Sequence, residues 1–482
     1  MKRGIYAENV TGRRVLLSDF SGGLSMHREE HLLPMRFAAE CYNFDTRDGA
    51  LSGKTGFAKL YTHASNITKS YTTTGMNKAA FLFRRYDYEA EKQADIIVVQ
   101  SATGYMYAYE TVRDGSRALN LYFSEIPETA CYRLNGEDVF LMSTEREGLY
   151  VWDGVNNPYL VEDAPAITSM CVHYERLFVT TGGDRSSVWF SDDFDVTNWN
   201  VSLDEGGFIQ LADEGGPSNR VVSFADYVYV FRSNGIARLT AYAEQESFRV
   251  SRLYVGAGCI YPQSVAVCGD RILFMASDGL YAFDGWNAVR IAEGLDGLFD
   301  VRYSKFYAAY QNGCYYLCCR LKRDNPAGVT LLDNNSIVRY HLESRSMLIY
   351  RGTAFSHVSA LNFAKESFVV FGLPKLTGCN YLCTEGSDGT FAGTEVGKLW
   401  RTPDTDLNLP DRVKTVRYLF LYADGPVEVE ISSERGSKTV SFTGDGLERR
   451  PVNLRGRSFT FEFRCAGDAT ISKPEIYYQY GR

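Results

Sequence analysis

The chain has 482 residues and a formal net charge of −8, with 14% aromatic residues and 23% charged residues. That is long enough for several domains or one large repeat domain, and too apolar for wholesale disorder. The acidic balance excludes a generic attraction for nucleic acid or anionic membranes, so any contact with DNA needs a local basic patch.

The first 14 residues, MKRGIYAENVTGRR, are basic but lack the apolar core of a secretion signal. No run approaches the length of apolar chain that crosses a bilayer as a helix, so insertion into a membrane is not expected. The eleven cysteines are therefore expected as reduced thiols in a protein made in a cytoplasm.

SMHREEHLLP, from Ser25 to Pro34, contains the His-x-x-Glu-His spacing of inverted zinc proteases at His27 and His31. Zinc chemistry there requires a stable helix that holds both imidazoles on one face. Gly22 and Gly23 precede the segment and Pro34 closes it, leaving two or three turns. The favoured reading is a short, charged, solvated helix in an N-terminal arm, with no metal and no cofactor.

From residue 65 onward the pattern is one of strands. EGLYVWDG (Glu147 to Gly154) and DGLYAFDG (Asp278 to Gly285) each follow a hydrophobic run and a polar turn, the pattern of a β-hairpin. Weaker copies place the second strands of such hairpins near Gly104, Gly148, Ser186, Gly235, Gly279, Ser336 and Gly397. Repeats of roughly 40 to 50 residues with several strands each are the signature of a β-propeller, and the two longer spacings hold Pro- and Asn-containing insertions. The expected fold is all-β: a six- or seven-bladed β-propeller with an N-terminal arm and a C-terminal β-sandwich.

The expected boundaries are an arm at 1–64, which also contributes a strand that closes the propeller, blades at 65–402, a linker at 403–411 and a small β-sandwich at 412–482. In GCYYLCCR, a strand puts Cys314 and Cys318 on one face and Cys319 on the other, poor geometry for one metal ion. The CxxxC pair Cys379 and Cys383 is read as structural.

Several motifs resemble the β-propeller tail proteins of tailed bacteriophages, including the podophage tail-hub, or packaged-DNA-stabilising, proteins. Near the N-terminus these are Phe20, Gly22, Gly23, Leu24, Asn43, Gly49 to Leu51, Gly56 and Phe57. In the middle, SVWFSDDFDVTNWN supplies Val188, Trp189, Ser191, Asp192 and Trp199. The following VGAGCIYPQS and DGLYAFDG supply Gly258, Cys259, Pro262, Ser264, Asp278, Gly279, Tyr281, Asp284 and Gly285.

The resemblance implies a structural virion protein, in the hub, nozzle or head-to-tail connector. It would form a homo-oligomeric ring, a hexamer among the options, around the channel through which the genome leaves. The implied partners are a portal or adaptor and other tail proteins, with genomic DNA only as passing cargo. The implied location is the virion tail, assembled in the bacterial cytoplasm.

Enzyme readings find little support. Ser191 to Trp199 departs from a sialidase Asp-box because the Gly is missing and the element occurs once. Val255 to Cys259 is Gly-rich but lacks the Gly-Lys-Ser/Thr of a phosphate loop. No Gly-x-Ser-x-Gly elbow is present. The alternative is a propeller that recognises a carbohydrate or protein at a cell surface, with aromatic residues such as Trp286 on its loops; Trp286 itself is expected to pack against a blade edge.

Purified protein is expected to hold no stoichiometric zinc by elemental analysis. A one-to-one ion that disappears when His27 and His31 are replaced reverses the reading of that motif.

Overall fold

The computed structural model describes residues 10–481 except 26–28, 30–31, 47, 60–76, 89, 102, 111–114, 204, 243–244, 254–255, 323–328, 331–332, 364–365 and 377–378. His27 and His31 thus lie outside the described residues. The chain is all-β; its helical elements among the described residues are 3-10 turns of three residues, such as Pro262–Ser264.

Four-stranded antiparallel sheets follow one another along the sequence. The first holds Asn77–Phe83, Ile96–Ser101, Tyr105–Glu110 and Gly115–Tyr122. The second runs from Glu128–Leu134 to Tyr159–Val161 and the third from Ile167–His173 to Gly207–Gln210. The fourth spans Ser218–Phe224 to Arg249–Leu253 and the fifth Ala266–Cys268 to Ala288–Ile291. The sixth spans Tyr307–Gln311 to Met347–Phe355.

Tight turns set the registers. Asn135-Gly136 and Asn312-Gly313 join the first two strands of the second and sixth sheets with positive φ at both residues. That backbone suits the right-handed twist of a hairpin, and Asn-Gly adopts it at little cost.

A seventh sheet begins with Val358–Phe363, Glu366–Leu376 and Cys379–Gly386. Its next strand comes from far away in the sequence: Gly56–Lys59 pairs antiparallel with Cys379–Gly386. The opening strand of the seventh sheet also packs against Asn77–Phe83, the opening strand of the first. Opening strands likewise touch between the first and second, second and third, and third and fourth sheets, and again from the fifth to the seventh. The turn Pro262–Ser264 contacts the opening strand of the fourth sheet and leads into the fifth. The succession therefore returns on itself.

Beside two short two-stranded pairs, Gly23–Leu24 with Phe37–Ala38 and Tyr86–Asp87 with Lys92–Gln93, there are two five-stranded sheets. One orders Val10–Leu16, Thr470–Gly481, Lys414–Ala423 and Gly446–Gly456, with Leu51–Ser52 added to Thr470–Gly481. The other orders Glu40–Tyr42, Lys398–Arg401, Phe459–Cys465, Val427–Ser433 and Gly436–Phe442. Their alternating inward residues, among them Leu419, Leu421, Ile476, Val429, Ile431 and Phe461, share one buried cluster with Leu273 and Leu317 of the fifth and sixth sheets.

The hairpin expected to lead into Gly397 does not form. Lys398–Arg401 instead lies between Glu40–Tyr42 and Phe459–Cys465. Trp400 accounts for the choice: it is fully buried, edge-on to Phe20 at 4.6 Å and tilted against Phe463 at 6.2 Å. The cysteines of Cys314–Cys319 alternate as expected of a strand. Cys314 and Cys318 enter one core cluster and Cys319 the other.

Phe57 anchors the closing strand. Its buried ring meets Tyr350 at 4.6 Å, Phe391 at 4.9 Å and Phe355 at 6.0 Å. Replacing a fully buried Phe by Ala removes transfer energy and leaves a cavity. Phe57→Ala is expected to lower stability by about 3–5 kcal/mol, read from the urea midpoint at unchanged m-value.

Candidate functional site: motif residues and a polar cavity

The motif residues from the middle of the chain fall into two groups on separate sheets, with the fourth sheet between them. In the third sheet, Val188 is buried and Trp189 packs its ring 5.0 Å from that of Phe208. Ser191 Oγ accepts from the Leu177 amide at 3.1 Å and donates to Asp192 O at 2.8 Å. Asp192 Oδ2 accepts from Asn198 Nδ2 at 3.2 Å. Burial, and then the neighbouring Asp193, raise the Asp192 carboxyl above its ordinary range. Buried Trp199 donates from Nε1 to Val196 O at 3.0 Å. The nearly buried Arg176 ties the loop down by donating to Ser191 O at 3.0 Å and Glu205 O at 3.1 Å.

The second group builds the fifth sheet. Asp278 accepts from the Gly258 amide at 2.9 Å and from Tyr281 OH at 2.6 Å. Burial and that contact push the Tyr281 phenol up to about 12. A Cβ at Gly258 would sit 2.3 Å from Ser277 Oγ and 2.9 Å from Asp278 Oδ1, so a side chain there would displace both of those side chains. The exposed Cys259 donates its amide to Ser277 Oγ at 3.1 Å. Pro262 opens the 3-10 turn that carries Ser264. Ser264 Oγ donates to Tyr261 O at 2.6 Å and accepts from the Met275 amide at 2.9 Å.

Gly279 adopts φ 149°, and its place would bring a Cβ within 2.6 Å of Arg290 Nε. Asp284 Oδ1 caps the turn that follows, accepting from the Trp286 and Asn287 amides at 2.8 and 2.7 Å. Asp153 does the same in the second sheet with Val155 and Asn156. The repeated Trp/Phe-Asp-Gly is thus a turn device. Gly285 accepts from Tyr229 OH of the fourth sheet at 3.2 Å, and Ser264 O from Tyr315 OH of the sixth at 2.7 Å. Trp286, expected against a sheet edge, is 60% exposed and lies under the Arg238 guanidinium at 3.8 Å.

A different set of residues forms a cavity of about 510 Å³ where the opening strands of the sheets begin. Lys78 comes from the first sheet, Ser124 to Thr129 from the entry to the second, and Arg220 from the fourth. Gln263 precedes the fifth sheet, Lys305 the sixth and His357 the seventh. Glu125 and Lys305 are exposed at the mouth; Arg220 and Glu128 form a largely enclosed ion pair. Arg220 Nε is buried with no hydrogen-bond partner among the described residues.

Lys78 Nζ donates to Ser124 O at 3.0 Å. Burial pulls this ammonium below its ordinary range; Glu125 opposes the shift and Lys305 adds to it. His357 shares a hydrogen bond of 2.9 Å between Nδ1 and Ser359 Oγ, with its ring 4.9 Å from Tyr307. Burial pushes the His357 imidazole down to about 3. None of these cavity residues belongs to a motif. The signal in the sequence is their shared position, at or before the first strand of every sheet but the third.

Among the described residues no group of three or more His, Cys, Asp or Glu is placed to hold a metal ion. None of their helices is long and apolar enough to cross a membrane. No family model matches the chain, and no curated protein does. Among solved structures, it is similar to PorZ, an essential bacterial surface component of the type-IX secretion system of Porphyromonas gingivalis, at 9% identity and a TM-score of 0.38. The match covers 74% of this chain and 44% of that one, so the chain spans less than half the length of PorZ. A likeness of that extent transfers neither fold nor function.

The His357 shift has a sign that can be measured. The unfolded chain takes up a proton on this imidazole below about pH 6.5, whereas the folded chain holds it neutral down to about 3. The unfolded state therefore binds more protons in that window, and stability falls as the pH is lowered through it. His357→Phe is expected to flatten this dependence in urea midpoints taken between pH 7 and pH 4.5. An unaltered slope would count against a buried neutral imidazole.

Proposed function

We propose that the chain is a seven-bladed β-propeller joined to a β-sandwich, and that it is a structural component of a bacteriophage tail. Each of the seven successive sheets is read as one blade, with Gly56–Lys59 supplying the fourth strand of the last. The two five-stranded sheets are read as the sandwich, built from both the N-terminal arm and the C-terminal segment. The subunit would join others in a ring around the DNA exit channel, below a portal or adaptor, in the hub, nozzle or connector.

One observation carries this reading beyond the sequence resemblance. The polar side chains of the shared motifs are occupied in holding backbone: Ser191, Ser264, Asp278 and Asp284 each bind main-chain amides. They are scaffold parts, and a stiff scaffold is what a channel wall requires. No catalytic role is proposed for them. A ring of identical subunits needs two different complementary surfaces on each chain, and the arm with the sandwich is the region assigned to those contacts.

Tagging the chain in its native context, inducing particle production and identifying copurified proteins by mass spectrometry tests the proposal. The expected result is portal and tail-adaptor proteins in fixed ratio to the chain. Recovery of the chain alone, or with glycans or host surface proteins, overturns the tail assignment and promotes the surface-binding alternative.

A further inference from the structure

We propose that the polar cavity is a binding site for a small doubly charged oxyanion, a phosphate group either free or as a monoester. This goes beyond the tail assignment and does not depend on it, since it rests on cavity residues outside the shared motifs.

The cavity volume of about 510 Å³ lies within the range of small-molecule sites, roughly 300–1,000 Å³. Its charge is opposite in sign to that of the chain. Arg220 and Glu128 satisfy one another, which leaves the ammonium groups of Lys78 and Lys305 facing Glu125 within the lining, with Glu147 acting on Lys78 from behind Ser124. Among the described residues neither lysine forms an ion pair. In a chain of net charge −8, two unpaired ammonium groups brought from the first and sixth sheets to one partly enclosed space form a local excess of positive charge.

Like charges held near one another in a recess repel, and an anion between them relieves that repulsion. A phosphate offers several acceptor oxygens and two charges, enough to meet both ammonium groups at once. Gln263 and the buried, unpartnered Nε of Arg220 add donors around the same space. The neutral His357 below supplies a polar wall without another charge.

The full chain is titrated with inorganic phosphate, and separately with potassium chloride at matched ionic strength, following the heat of binding and Tm. Saturable heat and a rise in Tm are expected with phosphate alone. Lys305→Met, at an exposed side chain, is expected to weaken phosphate binding at least about tenfold without changing Tm in its absence. Lys78→Met is expected to weaken it similarly, and Glu125→Gln to tighten it. Glycerol phosphate binding more tightly than inorganic phosphate assigns the site to a monoester; equal affinities assign it to the free anion. A response no different from that of chloride, or one unaffected by both lysine replacements, overturns the proposal.

Discussion

The architecture depends on one pairing: Gly56–Lys59 against Cys379–Gly386. Without it the seventh sheet ends in a row of unpaired amides and carbonyls, an open edge of the kind that recruits other chains. With it, the segment before residue 60 is bound to the last sheet, and the sheets form a closed succession. Hydrophobic packing and polar bonding reinforce the same junction. Phe57 fills the core between Tyr350 and Phe391. Asn43, held at φ 59°, donates its amide to the Arg351 and Gly397 carbonyls and accepts from the Arg351 amide.

A charged cluster sits at that junction too. Arg339, almost fully buried, pairs with both Asp45 and Glu385, and Glu385 also accepts from Tyr316 and Tyr350. Burying such a set gains little net stability, because desolvation offsets attraction. Its effect is on specificity. Removing Arg339 leaves two carboxylates enclosed with no cation between them, so the arm, the sixth sheet and the seventh are tied together through one guanidinium.

What the sequence could and could not convey follows from how local each feature is. Strands starting at Gly148, Gly235 and Gly279 are where the hairpin pattern placed them, because alternation and a polar turn are properties of neighbouring residues. The same alternation in Lys398–Arg401 was ambiguous, since a strand's pattern is alike whichever edge it joins. Trp400 chose the sheet, through Phe20 and Phe463, residues remote in sequence. The fourteen motif positions from Val188 to Gly285 are visible because turns and bulk leave residue signatures. The cavity was not: Lys78, Glu125, Lys305 and His357 are ordinary polar residues whose meeting depends on the ring being closed.

The distance along the chain across that junction has a consequence for synthesis. Asn43 and Arg351 lie 308 residues apart in sequence. At about 5–20 residues per second, a ribosome takes on the order of tens of seconds to supply the partner. Throughout that interval the strand that carries the apolar ring of Phe57 has no partner in the seventh sheet to pair with. The junction is thus among the last contacts to form during synthesis, and the rate at which the intervening sheets are translated sets how long the closing strand stays unpaired.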